Sequence, residues 1–311
     1  MSQTFLTPLA TTVPVFLLIL LGVVLHMRKI VDDGFVSVSS RLVFTVALPV
    51  LMFRSIVMAD LNLSAHLDLV VYSVCAAVGA ALISIIWVHV FNVEFNARGA
   101  FVQAAFRSNL GIIGLAVCIA AYGDEGAALG ALILAAVTPV YNLVSVLVLS
   151  RGQSLNWWAP IKGILSNPLI LSIIFALPFQ ALEVRLPDIL NDTARLIAQL
   201  TLPLALIGVG ASLNTNLKGS FNRLVIEISL LKLLLLPALI TAGAYLLGLR
   251  SQELSILTIM FASPTAAASF VMAKAMGADS LLSARAIAVT TLGSLLTISA
   301  FLYVLEALPL V

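Results

Sequence analysis

The chain has 311 residues, 61% of them hydrophobic and only 10% charged, with a formal net charge of +2. A soluble domain of this length carries about a quarter charged residues, so the composition excludes a soluble protein and points to one embedded in a bilayer. The small net charge does not suggest nucleic-acid binding, and the two cysteines, Cys75 and Cys118, lie in apolar runs with neither CxxC nor metal-like spacing.

A helix needs roughly 20 apolar residues to cross the hydrocarbon core, and ten such spans follow one another along the chain. The first, 9–27, lies in MSQTFLTPLATTVPVFLLILLGVVLHM. It has no Lys or Arg ahead of its apolar run, unlike a cleavable signal peptide, and is expected to stay as the first helix. The second, 36–58, contains SRLVFTVALP; the third is 67–91; the fourth, 99–122, contains FRSNLGIIG; the fifth is 126–150. The sixth is 163–182, and the seventh, 190–213, contains ARLIAQLTLP. The eighth, 221–248, carries Lys232 in EISLLKLLLLPALI; the ninth, 252–275, contains MFASPTAAA; the tenth is 281–307. The expected fold class is an all-α membrane protein with no room for a soluble domain between spans. Pro14, Pro49, Pro139, Pro203, Pro237 and Pro264 fall in or near spans, where kinks are tolerated. His26, His66 and His89 fall near span ends without metal spacing, so neither a metal nor another cofactor is expected.

The connecting loops alternate in charge. One set holds Arg28, Lys29, Arg98, Arg151, Lys162, Lys218, Arg223 and Lys274; the other holds Asp60, Asp68, Asp124, Glu125, Glu183, Asp188 and Asp192. Lys and Arg mark the cytoplasmic side, which places both termini outside a cell (inner) membrane.

An internal repeat runs at one offset. Pro14 and Pro168, Arg41 and Arg195, Pro49 and Pro203, and Gly123 and Gly277 are each 154 residues apart. Two repeats, 1–155 and 156–311, then hold five spans each. An odd number sends the second into the membrane from the opposite side, the inverted-repeat pattern of secondary transporters.

The same offset lays FRSNLGIIG on MFASPTAAA, both mid-span. Glycine lowers the cost of leaving helical geometry, proline removes an N–H, and short polar side chains satisfy the freed backbone. Corresponding interrupted spans are the best sequence pointer to a transporter binding site. The candidate substrate-binding residues are therefore Arg107, Ser108, Asn109 and Gly111 on one span and Ser263, Pro264 and Thr265 on the other. If both spans break near the midplane, two helix N-termini with unpaired N–H groups converge there and suit an anion. Arg107 lies about 12 Å deep at 1.5 Å per residue, where a charge needs a partner or a wet cavity. Two readings of it stand: ligand contact or gating, and hydrogen bonding to carbonyls freed by its own broken helix. Asn142 is a core or site residue, and Lys232 either caps a carbonyl or serves coupling or gating.

FRSNLGIIGLAV, the LPLALIGVGASL of the seventh span and SPTAAASFVMAKAMGAD at 263–279 together resemble the auxin efflux carrier family. That family includes plant PIN-type auxin carriers and bacterial carriers of malonate or malate. The resemblance covers essentially the whole chain, and the short connection between spans five and six is similar to the bacterial members. It implies the fold of bile-acid symporters and NhaA-type antiporters, with a scaffold domain of spans 1, 2, 6 and 7. A transport domain of spans 3–5 and 8–10 then carries crossed broken helices 4 and 9. It further implies an organic anion bound at the crossover and elevator-like alternating access. Asn109 matches the family's crossover asparagine and Pro264 the crossover proline of span nine. Leu110 departs from a symmetric pattern, which would have a proline there and a harder break. Arg107 is not general to the family, and points to a smaller, more highly charged substrate than auxin.

The expected function is thus a secondary carrier of small organic anions, carboxylates above all, and not an enzyme: HExxH, GxSxG and paired acids at membrane depth are lacking. The expected partners are the anion and the lipid bilayer, with a homodimer as a candidate assembly and no nucleic acid. A cation or proton antiporter on the same fold needs carboxylates at membrane depth; the deepest here is Glu227, near a span start. An anion channel lined by the broken helices is the remaining alternative.

Overall fold

The computed structural model describes residues 2–58, 66–150, 167–182, 184, 186–213 and 222–307, with side chains from Thr12 onward. Among them there is no β-strand, and the helices are α1 (Ser2–Met27), α2 (Asp33–Leu42), α3 (Leu48–Met58), α4 (Leu67–Val90), α5 (Phe95–Phe106) and α6 (Leu115–Leu149) in the first half. The second half holds α7 (Pro168–Ala181), α8 (Asp188–Gln199), α9 (Thr201–Ser212), α10 (Arg223–Leu230), α11 (Leu236–Leu246), α12 (Ser251–Ala262), α13 (Ala268–Ala275) and α14 (Ser280–Ala307).

Six helical stretches among the described residues are long and apolar enough to cross a membrane: Asp33–Met58, Leu67–Val90, Leu110–Leu149, Asp188–Ser212, Arg223–Leu246 and Ser280–Ala307. Thr12–Met27 and Pro168–Ala181 are shorter apolar helices. Leu110–Leu149 has 40 residues, about 60 Å if straight, twice the hydrocarbon thickness. It folds back at Gly123, whose φ of 59° and ψ of −136° are not helical. The site of a Cβ on Gly130 lies 2.9 Å from Leu115 Cδ1 and 3.8 Å from Cys118 Cβ, so the two arms touch. Gly277, the offset partner of Gly123, also has a positive φ, 67°. Both turns use the left-handed region that glycine enters without a Cβ penalty.

Prolines account for three further interruptions. A ring at position i clashes with the carbonyl four residues back. Ahead of Pro49 the chain widens into a π-helical turn, Val43–Ala47, and ahead of Pro237 into another, Leu231–Leu235. The Arg41 carbonyl, near the first widening, accepts from Thr45 Oγ1 at 2.7 Å. Ahead of Pro203 the helix divides between Gln199 and Thr201, which 154 residues earlier is the π turn before Pro49.

α1 packs on α9, and α3 on α7 and α8. The α1–α9 contact is close because Gly22 lies against the Ile207 carbonyl and Gly210 against the Ile19 carbonyl, the small-residue packing expected where lipid gives no hydrophobic drive between helices. Some residues assigned to loops outside the expected spans belong instead to helix ends: Arg98 to α5 and Asp188 to α8. Helices continue past the hydrocarbon, so charge alone misplaces their ends. Asp60, Arg151, Lys162, Glu183 and Lys218 lie outside the described residues.

Candidate functional site

The expected fourth and ninth spans are both broken. α5 ends at Phe106, and α12 ends at Ala262. Arg107 (ψ 102°) and Ser263 (ψ 150°) turn to extended backbone. The unwound segments meet as an isolated antiparallel bridge between Ser108 and Thr265. Asn109 N donates to the Pro264 carbonyl at 2.8 Å, and Ala266 N donates to the Arg107 carbonyl at 3.0 Å. Broken helices leave backbone carbonyls without partners, and here hydroxyls crossing from one segment to the other fill that need. Thr265 Oγ1 donates to the Ala104 carbonyl at 2.7 Å, and Ser108 Oγ to the Phe261 carbonyl at 3.2 Å. Ser263 Oγ donates to Met260 O at 2.7 Å, and Thr265 N donates to Thr290 Oγ1 at 3.1 Å.

Two buried cations flank this crossing. Lys232, 1% exposed, projects from the π turn before Pro237; its Nζ donates to Ser108 Oγ and, at 2.8 Å, to the Phe261 carbonyl. Arg107, 8% exposed, reaches across to α6. Its Nη1 donates to Ser145 Oγ at 2.9 Å and to the Tyr141 carbonyl at 3.2 Å, and its Nη2 to Asn142 Oδ1 at 2.8 Å. The ion pairs among the described residues are Arg54–Asp124, His66–Glu253, Arg195–Asp192 and Arg223–Glu227. None involves Arg107 or Lys232, so two basic side chains sit at the crossing without a carboxylate.

Beside them is a cavity of 420 Å³ lined by Arg107, Ser108, Asn109, Gly111 and Asn142, together with Tyr141 and the N-terminal backbones of α7 and α13. The Asn109 side chain has no hydrogen-bond partner among the described residues, and the buried Tyr141 hydroxyl also lacks one. Neither Leu110 at the start of the π turn Leu110–Gly114 nor Ala268 at the start of α13 has a side-chain cap. Two helical segments thus begin at the cavity with their N–H ends toward it. Ser263, Pro264, Thr265 and Lys232 do not line the cavity: they lie behind it and hold the crossing together.

Sequence reasoning found the crossing but missed its neighbours. Tyr141 and Ser145, which hold Arg107 beside Asn142, share one helical face at i and i+4, a spacing that was legible. Asn167, Phe44 and Thr290 carried no comparable signal. Of the site glycines, Gly114 sits where a Cβ would come within 3.1 Å of Met260 Sδ, whereas at Gly111 it would find Leu134 Cδ1 at an ordinary 3.7 Å.

Known proteins share this sequence along its length. A family described as "Membrane transport protein" matches residues 8–160 and 158–302. An "Uncharacterized transporter" of Methanothermobacter thermautotrophicus is 24% identical over 284 residues, covering 86% of this chain and 89% of that protein. "Uncharacterized transporter YfdV" of Escherichia coli is 23% identical over 302 residues, covering 94% and 95%. "Uncharacterized transporter MJ1031" of Methanocaldococcus jannaschii is 24% identical over 315 residues, covering 96% and 99%. With apolar helices throughout and a family match over both halves, the chain is a multi-pass integral membrane protein and belongs to the membrane transport family that is the auxin efflux carrier family.

Proposed function

We propose that the protein is a secondary carrier of small organic anions, carboxylates in particular, which bind in the cavity at the crossing. The observation that carries this reading is the pair of buried cations, Arg107 and Lys232, with no carboxylate partner among the described residues. A buried unpaired charge costs several kcal/mol, and a visiting anion removes that cost. The helix N-termini at the cavity add partial positive charge. The free Asn109 side chain supplies neutral hydrogen bonds that select shape.

In this reading the chain crosses the cell membrane ten times as two inverted five-span repeats, 1–155 and 156–311, with both termini extracytoplasmic. α1, α2–α3, α7 and α8–α9 form the scaffold; α4–α6 and α10–α14 form a transport domain that moves the crossing across the membrane. An antiporter driven by carboxylate protonation is disfavoured by Glu227, the deepest acid. It is occupied at a helix end by Arg223 Nε at 2.6 Å and Trp87 Nε1 at 3.1 Å.

The test is a thermal-shift and proteoliposome-uptake screen over malonate, malate, succinate, lactate and indole-3-acetate. Saturable uptake with counter-substrate exchange is expected; ohmic flux at channel rates would replace the carrier by a channel, and no response to any carboxylate would remove the anion.

A further inference from the structure

A second cavity of 560 Å³ lies beside the first, between α2, α9, α13 and α14. The two share three lining residues: Phe44, Ile112 and Ala267. They differ in chemistry. The first contains Arg107, Asn109 and Asn142, whereas the side chains of the second are apolar apart from Ser40, Ser212 and Ser280. Of the shared residues, Ala267 is small and Ile112 is 7% exposed, held in the Leu110–Gly114 turn. Phe44 is the large side chain of the three and is 39% exposed. It stands on the π turn that Pro49 forces in the second span, outside the regular α-helical bonding pattern.

Resting on the anion site proposed above, we infer that Phe44 is a specificity-determining residue: its ring is the partition that stops the apolar part of a bound carboxylate from entering the second cavity. A carboxylate held at Arg107 fills the first cavity outward and meets Phe44. Beyond the ring lies an apolar space larger than the first, which repays desolvation of an alkyl chain at about fourfold in affinity per methylene. The ring therefore sets substrate length, while Arg107 sets charge.

The probes are linear monocarboxylates from acetate to decanoate, with affinities measured on detergent-purified protein. In the parent protein affinity rises with chain length and then stops or falls at a break-point. In Phe44→Ala the break-point moves to longer chains, with about fourfold gained per added methylene. Phe44→Leu moves it less, and serves alone if Phe44→Ala does not fold. A break-point that does not move, with short chains still bound in an Arg107-dependent way, overturns the partition and leaves the anion site standing. Failure of every chain length to bind, or binding unchanged in Arg107→Ala, overturns the site and the partition with it.

Discussion

Ser108 and Thr265 face each other across an antiparallel bridge, and each sends its hydroxyl to a carbonyl of the other's broken helix: Ser108 to Phe261, Thr265 to Ala104. The crossing therefore repairs part of its own backbone. Thr265→Val keeps the shape but leaves the Ala104 carbonyl unsatisfied in a site where Thr265 is fully buried. A stability loss of about 1–3 kcal/mol is expected, with Thr265→Ser, which keeps the hydroxyl and loses one buried methyl, costing about 0.8 kcal/mol. Denaturation of both variants in detergent checks this; a loss in Thr265→Ser with none in Thr265→Val would show that the methyl group, and not the hydroxyl, matters.

Lys232 gives the opposite sign. It holds a charge in the core with a hydroxyl and a carbonyl as partners and no carboxylate. Replacing a buried charge by an apolar side chain of similar length is often neutral or stabilising. Lys232→Met is expected to keep or raise the melting temperature while weakening carboxylate binding more than about tenfold. A variant that loses stability and keeps binding would make Lys232 a carbonyl cap and nothing more.

Two glycines separate crowding from conformation. At Gly210 a Cβ would overlap the Ile19 carbonyl of the neighbouring helix, whereas at Gly111 it would lie 3.7 Å from Leu134 Cδ1 and 3.9 Å from Leu48 Cδ2. Gly210→Ala must push α1 and α9 apart, at roughly 1–3 kcal/mol. Gly111→Ala is expected to fold and melt as the parent does, although Gly111 lines the cavity. Thermal unfolding of the two single variants decides it.

Much of this arrangement was written in local sequence. The breaks were legible because glycine, proline and short polar residues in an apolar run have few other uses, and the offset of 154 aligned them. Gly123 and Gly277 were paired by the offset alone, and both have positive φ. The partners of the breaks were not legible. Thr265 bonds Ala104 and Arg107 bonds Ser145, and such contacts depend on how distant helices cross, which no local pattern records. Helix starts were also misplaced, as with Arg98 and Asp188, because a helix begins before its apolar face does.

The loop charges predict the orientation proposed above. Asp33 and Asp188 are both exposed and lie at opposite ends of the proposed bundle. In a Cys75→Ser, Cys118→Ser background, Asp188→Cys is expected to react with an impermeant thiol reagent in right-side-out vesicles and Asp33→Cys only after permeabilisation. The reverse pattern would invert the topology.

Arg107 carries the sharpest test, because the structure gives it both of the roles open at the sequence level. Its guanidinium is fixed by Tyr141 O, Asn142 and Ser145, and it also lines the cavity. These bonds use Nη1 and one hydrogen of Nη2; Nε and the other Nη2 hydrogen have no partner among the described residues and remain for a ligand. Lysine retains the charge but lacks the planar fork, so it cannot hold three α6 groups and a carboxylate together. Arg107→Lys is expected to weaken carboxylate binding, and Arg107→Ala to weaken it further, by about 10- to 150-fold, the equivalent of a charged hydrogen bond. The stability cost is expected to be smaller than that of Thr265→Val. Asn142 lines the cavity and can turn to water, the buried Ser145 hydroxyl can bond back to the carbonyl four residues earlier, and the Tyr141 carbonyl sits inside α6, where a helical N–H serves it. The measurement is carboxylate affinity and melting temperature on the same purified samples of each variant. A lowered melting temperature with unchanged affinity would assign Arg107 to holding the fourth span against the fifth, and would overturn the anion site at the crossing.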